Sequence, residues 1–168
     1  MTQCKGECDC GAVKFVCEDE PLFTQYCHCN KCREIAALST RDADKSGYAY
    51  TAAYLKSNFN IISGRDHLED IIKNNATLFL CKSCHSLIYG ISLDPSKQAG
   101  IGINANNFYF SDSVPDSFKP VRHVWYLNRI VDFNDDLPKY NDTPQEQFGS
   151  GELYSGSEAI IEKTGPRL

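Results

Sequence analysis

Seven cysteines stand in three close-spaced groups, and thiols set this close together are suited to holding a metal ion. Cys8 and Cys10 are one residue apart, Cys27, Cys29 and Cys32 form a C-x-C-x-x-C run, and Cys81 and Cys84 form C-x-x-C. Such spacing lets two thiolates reach one tetrahedral ion from a single tight turn, which points to zinc. Free core cysteines, which behave as small hydrophobes, are the bland alternative for any one of them. Three clustered groups in one short chain speak against it. A thioredoxin-like redox C-x-x-C would need a βαβ context, and none surrounds Cys81. The total of nine cysteines is odd, so disulfides within the chain cannot pair them all.

The bulk numbers narrow the setting. A chain of 168 residues, 42% hydrophobic and 23% charged, suits one core. With 17 Lys and Arg against 22 Asp and Glu, the net charge is −5. That balance, with no basic run of five or more, argues against nucleic acid as a partner, since phosphate neutralisation needs clustered cations. A small anionic ligand in a local basic pocket remains compatible with it. No apolar run is long enough to span a bilayer. Met1 to Glu7 carries no secretory signal, so a cytoplasmic, reducing location is expected, where disulfides are rare.

The elements that must position these thiols read as short strands. Val13, Phe15 and Cys17 alternate with Lys14 and Val16, which places Cys17 in a core. Leu22 to Tyr26 is a strand that delivers Cys27 at its end, and Lys31 to Leu38 makes one or two helical turns. Tyr48–Leu55, Phe59–Ser63, Leu68–Lys73, Thr77–Leu80, Leu87–Leu93, Ala99–Ile103 and Val121–Leu127 are further strands. Thr77–Leu80 runs straight into Cys81. The fold class is mainly β, with one or two short helices. Residues 1–140 form the domain. Residues 141–168, rich in Gly and Ser, form a C-terminal extension with Tyr154, Ile160 and Ile161 as apolar anchors. His123 and Trp125 share a strand face and read as a packed core pair. Cys4, outside the clusters, reads as a free surface thiol.

With Cys8-Asp9-Cys10-Gly11, Cys27-His28-Cys29-Asn30-Lys31-Cys32-Arg33 and Cys81-Lys82-Ser83-Cys84 in this order, the chain resembles the glutathione-dependent formaldehyde-activating enzymes and the related centromere protein V domain. The likeness runs from about Gly6 to Tyr140. It includes His123-Val124-Trp125 and the closing stretch Asp135-Asp136-Leu137-Pro138-Lys139-Tyr140. The resemblance implies an antiparallel, zinc-held β-tent and two Zn2+ ions per chain. Cys8, Cys10, Cys81 and Cys84 would hold a structural zinc. Cys27, Cys29 and Cys32 would hold a catalytic zinc with one position left open. The chain departs from the family pattern at His85, where the family has Gly, at Ile130-Val131, where an aromatic is common, and in the charged loop Ala37–Ser46.

The resemblance further implies a carbon–sulfur lyase: glutathione and formaldehyde, or a related thiol and aldehyde, joined at the three-cysteine site. Zinc makes a bound thiol more acidic, so a thiolate is available at neutral pH. Glutathione carries two carboxylates, for which Arg33 and Arg41 are the candidate partners. His28 either replaces one of the ligands, supports one by a hydrogen bond, or simply points away between two of them. The rival reading is a non-catalytic zinc module that binds a small thiol or a protein partner. Chromatin association like that of centromere protein V lacks a basic tail here.

Overall fold

The computed structural model describes residues 2–156. Ten strands and one α-helix lie among them, so the protein is mainly β. β1 (Gln3–Glu7), β2 (Lys14–Glu18) and β5 (Phe59–Ser63) form a three-stranded antiparallel sheet in the order β1-β2-β5. A seven-stranded sheet holds β3 (Phe23–Cys27), β4 (Ala49–Leu55), β6 (Leu68–Lys73), β7 (Ala76–Cys81), β8 (Leu87–Ser92), β9 (Gly100–Asn104) and β10 (His123–Val124). Its order is β10-β3-β4-β9-β8-β7-β6, antiparallel except where β10 joins β3. The helix, α1 (Asn30–Ala36), follows β3.

The alternation in β2 sets the core. Val13, Phe15 and Cys17 are fully buried beside Ala52 and Tyr54 from β4, Ile101 and Ile103 from β9, and Phe108 and Phe118. Each large apolar side chain buried in this way contributes about 1.5–3 kcal/mol, against about 0–1 for an exposed ion pair. Ion pairs such as Lys14–Glu7 and Lys73–Glu34 are partly exposed at both ends. The apolar contacts between the sheets therefore dominate its stability.

Several expectations need correction. Gln3–Glu7 carries little apolar pattern, yet it forms β1 because β2 offers it a ladder. Cys4 is consequently buried opposite Cys17 rather than a surface thiol. Gly6 makes room for the Phe15 ring: a Cβ there would lie 2.2 Å from Phe15 Cζ. The strand expected over Val121–Leu127 shrinks to His123–Val124. Trp125 adopts a left-handed φ of 56°, which ends the alternation. Its N–H donates to the Asp142 carbonyl at 2.6 Å, and that of Tyr126 donates to the Tyr140 carbonyl at 2.9 Å. His123 is thus buried while Trp125 is 41% exposed, and they are not a core pair.

The start of the expected extension lies against the body. Tyr140 bridges Leu153, Pro144 is fully buried, and Tyr154 meets the Tyr126 ring edge-on at 5.2 Å. Ile160 and Ile161 lie outside the described residues.

Gly64 closes the turn after β5 with φ 75°, and a Cβ there would sit 1.9 Å from the Ala12 carbonyl oxygen. Both the backbone conformation and the contact forbid a side chain. Gly64→Ala is expected to cost more than about 1 kcal/mol, lowering the midpoint of thermal unfolding by several degrees, as measured by circular dichroism.

Candidate metal centres and adjoining cavity

Two thiol groups assemble, and each owes its shape to local turns. The first joins the two sheets. After β1, Cys8 N–H donates to the Val13 carbonyl and Gly11 N–H to the Cys8 carbonyl, both at 2.9 Å, with Gly11 at φ 75°. This turn presents Cys8 and Cys10. After β7, His85 N–H donates to the Cys81 carbonyl at 2.9 Å, and Cys81 N–H to the Ser86 carbonyl at 3.1 Å. His85 takes φ 55°, a conformation that Gly enters without strain. A non-glycine residue thus occupies a glycine-like conformation at this turn. The His85 ring lies outside the thiol group, exposed and 3.6 Å from Glu69.

The ligand atoms of Cys8, Cys10, Cys81 and Cys84 lie within 4.8 Å of one another. Cys8 and Cys10 sulfurs are 3.5 Å apart, and Cys10 and Cys81 sulfurs 3.7 Å. Zinc–sulfur bonds of about 2.3 Å in a tetrahedron require sulfurs about 3.8 Å apart. The donor set fits such an ion. Val13 N–H points at Cys8 Sγ from 3.2 Å, and the Ser86 hydroxyl lies 3.0 Å from Cys84 Sγ. Burial alone would raise the Cys84 thiol, but hydrogen bonds from the Ser86 hydroxyl and nearby backbone N–H groups outweigh it and bring it down to about 6. Burial pushes Cys8 up to about 12. A metal binding here would displace protons from such thiols.

The second group comes from one continuous segment. β3 ends on Cys27, and Cys29 is the N-cap of α1, its sulfur accepting from the Cys32 N–H at 3.3 Å. The sulfurs of Cys27, Cys29 and Cys32 lie within 4.8 Å of one another, those of Cys27 and Cys29 at 3.5 Å. Hydrogen bonds from Cys27 and Cys32 pull Cys29 down to about 3, and the same contacts raise Cys27 well above its ordinary value. One thiolate is thus stabilised by its neighbours. Three sulfurs leave a tetrahedral ion one position short, the pattern of a site open to exchange.

His28 is not part of either thiol group. Its side chain is fully buried and turns to His123, with Nε2 2.9 Å from His123 Nδ1. His123 Nε2 lies 3.0 Å from Asp135 Oδ2, and Lys139 donates to Asp135 Oδ1 at 2.7 Å. Burial alone would raise the Asp135 carboxyl, but Lys139 and His123 outweigh it and hold it low. An ionised Asp135 must accept from His123 Nε2–H. His123 Nδ1 then accepts from His28 Nε2–H, which leaves the lone pair of His28 Nδ1 without a hydrogen-bond partner among the described residues. Burial, together with neighbouring His123, brings His28 down to about 3, so its ring is neutral. Tyr26, Tyr48, Tyr126 and Phe133 pack around the two imidazoles. Nothing local in the sequence marked this chain. Its one signal was that His123 and Asp135 both fall in stretches that carry the resemblance.

Cys29 and Cys32 also line a cavity of about 450 Å³, within the size range of small-molecule sites. Its wall includes Ile35 of α1, Tyr48 and Tyr50, the Asn74-Asn75 turn, Leu78 and Ile103. The cations on it are Lys31, Lys73 and Lys97. Neither Arg33 nor Arg41 lines it. Arg33 Nε donates to the His28 carbonyl at 3.2 Å, and its guanidinium also meets Asn30. Arg41 turns toward the four-thiol group: it pairs with Asp9 at 3.4 Å and donates to the Asn106 carbonyl at 2.6 Å and Asn107 Oδ1 at 2.9 Å. Proximity in sequence to the cysteine run pointed to the arginines. The hairpin and loop that bring in Lys73 and Lys97 are distant in sequence and gave no such signal.

The model of the family "glutathione-dependent formaldehyde-activating enzyme" matches residues 3–128. A crystal structure of a Rhodobacter sphaeroides protein is similar in fold, with a TM-score of 0.51 and 21% identity over 71% of this chain and 99% of that one. No curated protein sequence matches the chain. No helix among the described residues is long and apolar enough to cross a membrane.

The imidazole chain generates a stability prediction. His123→Ala leaves His28 Nε2 buried without its acceptor and opens a void among aromatic rings. An unsatisfied buried donor alone costs about 1–3 kcal/mol. Urea unfolding is expected to show a loss of at least that size for His123→Ala, and a smaller loss for Lys139→Ala at the exposed end of the chain.

Proposed function

The chain belongs to the glutathione-dependent formaldehyde-activating enzyme family, and from that premise we propose that it is a zinc-dependent carbon–sulfur lyase-type enzyme acting on the adduct of a small thiol and an aldehyde. The observation that carries this reading is the group of Cys27, Cys29 and Cys32, three thiols on one segment with two of them facing a cavity. In this reading two zinc ions bind per chain: one to Cys8, Cys10, Cys81 and Cys84, the other to Cys27, Cys29 and Cys32. The second ion, when bound, supplies acidification of a substrate thiol at neutral pH.

The residues around the cavity do the rest. Cys29, held as the N-cap of α1, and Cys32, one turn further on, fix the thiol-binding end. Lys31, Lys73 and Lys97 give that space a positive wall for carboxylates. Lys73 and Lys97 already face Glu34 at 3.5 Å and Asp94 at 3.7 Å, but these partly exposed pairs are worth only about 0–1 kcal/mol and exchange readily for a substrate carboxylate. In the reaction, the thiolate sulfur adds to the carbonyl carbon of formaldehyde and a C–S bond forms. The C=O π pair moves to oxygen, which takes up one proton, equal to the one the thiol gave up. The product is the S-hydroxymethyl thiol, and the reverse path returns both reactants. Holding the thiol in one orientation is the contribution expected of the cavity walls.

The two thiol groups should differ in what their loss does. Cys81→Ser removes a donor from a group that ties two sheets, and is expected to leave the protein aggregated or unfolded. Cys29→Ser alters a group built from one segment, so the fold should persist while the zinc content falls from about two equivalents to about one. Circular dichroism with elemental analysis reads both; equal unfolding of the two variants would contradict the division of roles.

The reaction is tested by exchange between formaldehyde and glutathione at equilibrium, followed by NMR with and without protein. Acceleration that disappears in Cys29→Ser is the expected result. If saturating protein adds nothing while glutathione still binds, the non-catalytic thiol-binding module is the correct reading.

A further inference from the structure

The large sheet ends at β6 in an edge that none of the described residues covers. Its opposite end, β10, is bridged by Lys139, and Tyr140 N–H donates to the His123 carbonyl at 2.9 Å. In the small sheet, Phe108 bridges Gly6 of β1, and Tyr109 N–H reaches the Lys5 carbonyl at 3.2 Å. β5 shifts register against β2. Covering and irregular register both blunt a sheet edge against further pairing. β6 has neither: it pairs with β7 over all six residues without a shift, and it contains no Gly or Pro.

The backbone decides which groups this edge offers. Lys82 N–H donates to the His67 carbonyl at 2.9 Å, and Lys73 faces Ala76 across the two-residue turn Asn74-Asn75. Antiparallel pairs alternate, so Glu69, Ile71 and Lys73 turn their backbone groups to β7, and Leu68, Asp70 and Ile72 turn theirs outward. Among the described residues, no backbone group of Asp70 or Ile72 has a hydrogen-bond partner on that side. Ile72 is also 73% exposed, an apolar side chain on an open strand.

We propose that β6 is a self-association edge: a second copy of this chain adds its own β6 antiparallel and continues the sheet across a two-fold axis. Two conditions fix the register. A two-fold axis perpendicular to the sheet keeps every side chain on its own face, and outward backbone groups must meet outward backbone groups. Both hold with Ile71 opposite its own counterpart. Asp70 then exchanges two backbone hydrogen bonds with Ile72 of the second copy, and symmetry repeats the exchange. In the closer positions between them, Ile71 meets Ile71 and Glu69 meets Lys73, twice. Centring the pairing on Asp70 would set like charges opposite each other, and centring it on Ile72 would run Asp70 into the Asn74 turn. Glu69 and Lys73 now face His85 at 3.6 Å and Glu34 at 3.5 Å, partly exposed pairs that exchange readily. The strand is thus self-complementary in charge, in apolar contact and in hydrogen bonding at one register.

The test is analytical ultracentrifugation of the zinc-loaded full chain between about 1 µM and about 1 mM, a span that covers weak strand-to-strand association. The average mass is expected to rise toward twice that of the chain. Amide exchange at Asp70 and Ile72, read by NMR, is expected to slow over the same span, which locates the contact without a variant. Ile72→Asp sets a carboxylate against Asp70 at both hydrogen-bonded pairs and is expected to weaken dimerisation at least about tenfold. Adding Asp70→Lys to that variant sets opposite charges there and is expected to restore it. Neither substitution touches the thiol groups or Lys73, so zinc content and circular dichroism report whether the variants are folded. A mass that stays at one chain throughout, or association that leaves the Asp70 and Ile72 amides unprotected, would overturn the proposal. So would a folded Ile72→Asp that dimerises undiminished, or a folded double variant that fails to recover. None of these outcomes bears on the thiol-binding reading.

Discussion

Four thiols from two distant turns converge between the sheets, and that convergence is the constraint on which the architecture depends. Cys8 and Cys10 follow β1 in the small sheet, Cys81 ends β7 in the large one, and Cys84 follows it. The Cys10 and Cys81 sulfurs approach to 3.7 Å only if the sheets are correctly stacked. The apolar core alone specifies a stacking direction loosely, because hydrophobic contact is non-directional. Directional contacts reinforce the sulfur geometry from both turns: Asp9 N–H reaches the Ser86 hydroxyl at 3.4 Å across the junction. Registration between the sheets therefore concentrates at this point. The loop at residues 37–46 also anchors here, through Thr40 on Cys84 and Arg41 on Asp9.

The second thiol group is organised on a different principle. All three sulfurs come from one six-residue stretch, so the fold does not need them to join distant parts. What that stretch needs is a fixed path, and buried polar contacts supply it. His28 N–H donates to the Val124 carbonyl at 3.0 Å, the His28 ring meets His123, and Arg33 Nε returns to the His28 carbonyl. Backbone and ring together hold the residue between Cys27 and Cys29 at both ends. The cost of burying two imidazoles is offset by the ionised Asp135 at the far end and by the aromatic rings around them. Sulfurs that must stay open to exchange on one side are thereby braced on the other.

Much of this was readable in the sequence, and the reason lies in the range of the interactions. The alternation of Val13, Phe15 and Cys17 is local, and β2 forms where it predicts. The cysteine spacings are local, and each run does form a turn with its thiols together. That Cys8 and Cys10 would meet Cys81 and Cys84 came from family resemblance, because spacing cannot select a partner so far along the chain. Cys4 misled for a related reason: β1 has little pattern of its own and borrows its order from β2. The imidazole chain is legible only in space, since His28, His123 and Asp135 belong to three separate elements. The cavity cations were not legible in the sequence. Sequence adjacency favoured Arg33 and Arg41, but a guanidinium with five donors is readily captured by nearby carbonyls and amides, as both are here.

The placement of Asp44 follows from the same economy. The turn Asn104-Ala105-Asn106-Asn107 offers three amide side chains in four residues, and the charged loop consumes all three: Arg41 takes Asn107, and Asp44 takes Asn104 and Asn106. The loop is thus clamped at Arg41 on its outer side and at Asp44 on its inner side. Neither clamp uses a residue from the Cys27–Cys32 segment. The loop is tied instead to the four-thiol junction, where Thr40 meets the Cys84 carbonyl and Arg41 meets Asp9. Asp44 thus serves the fold through one oxygen, which accepts from both Asn104 and Asn106.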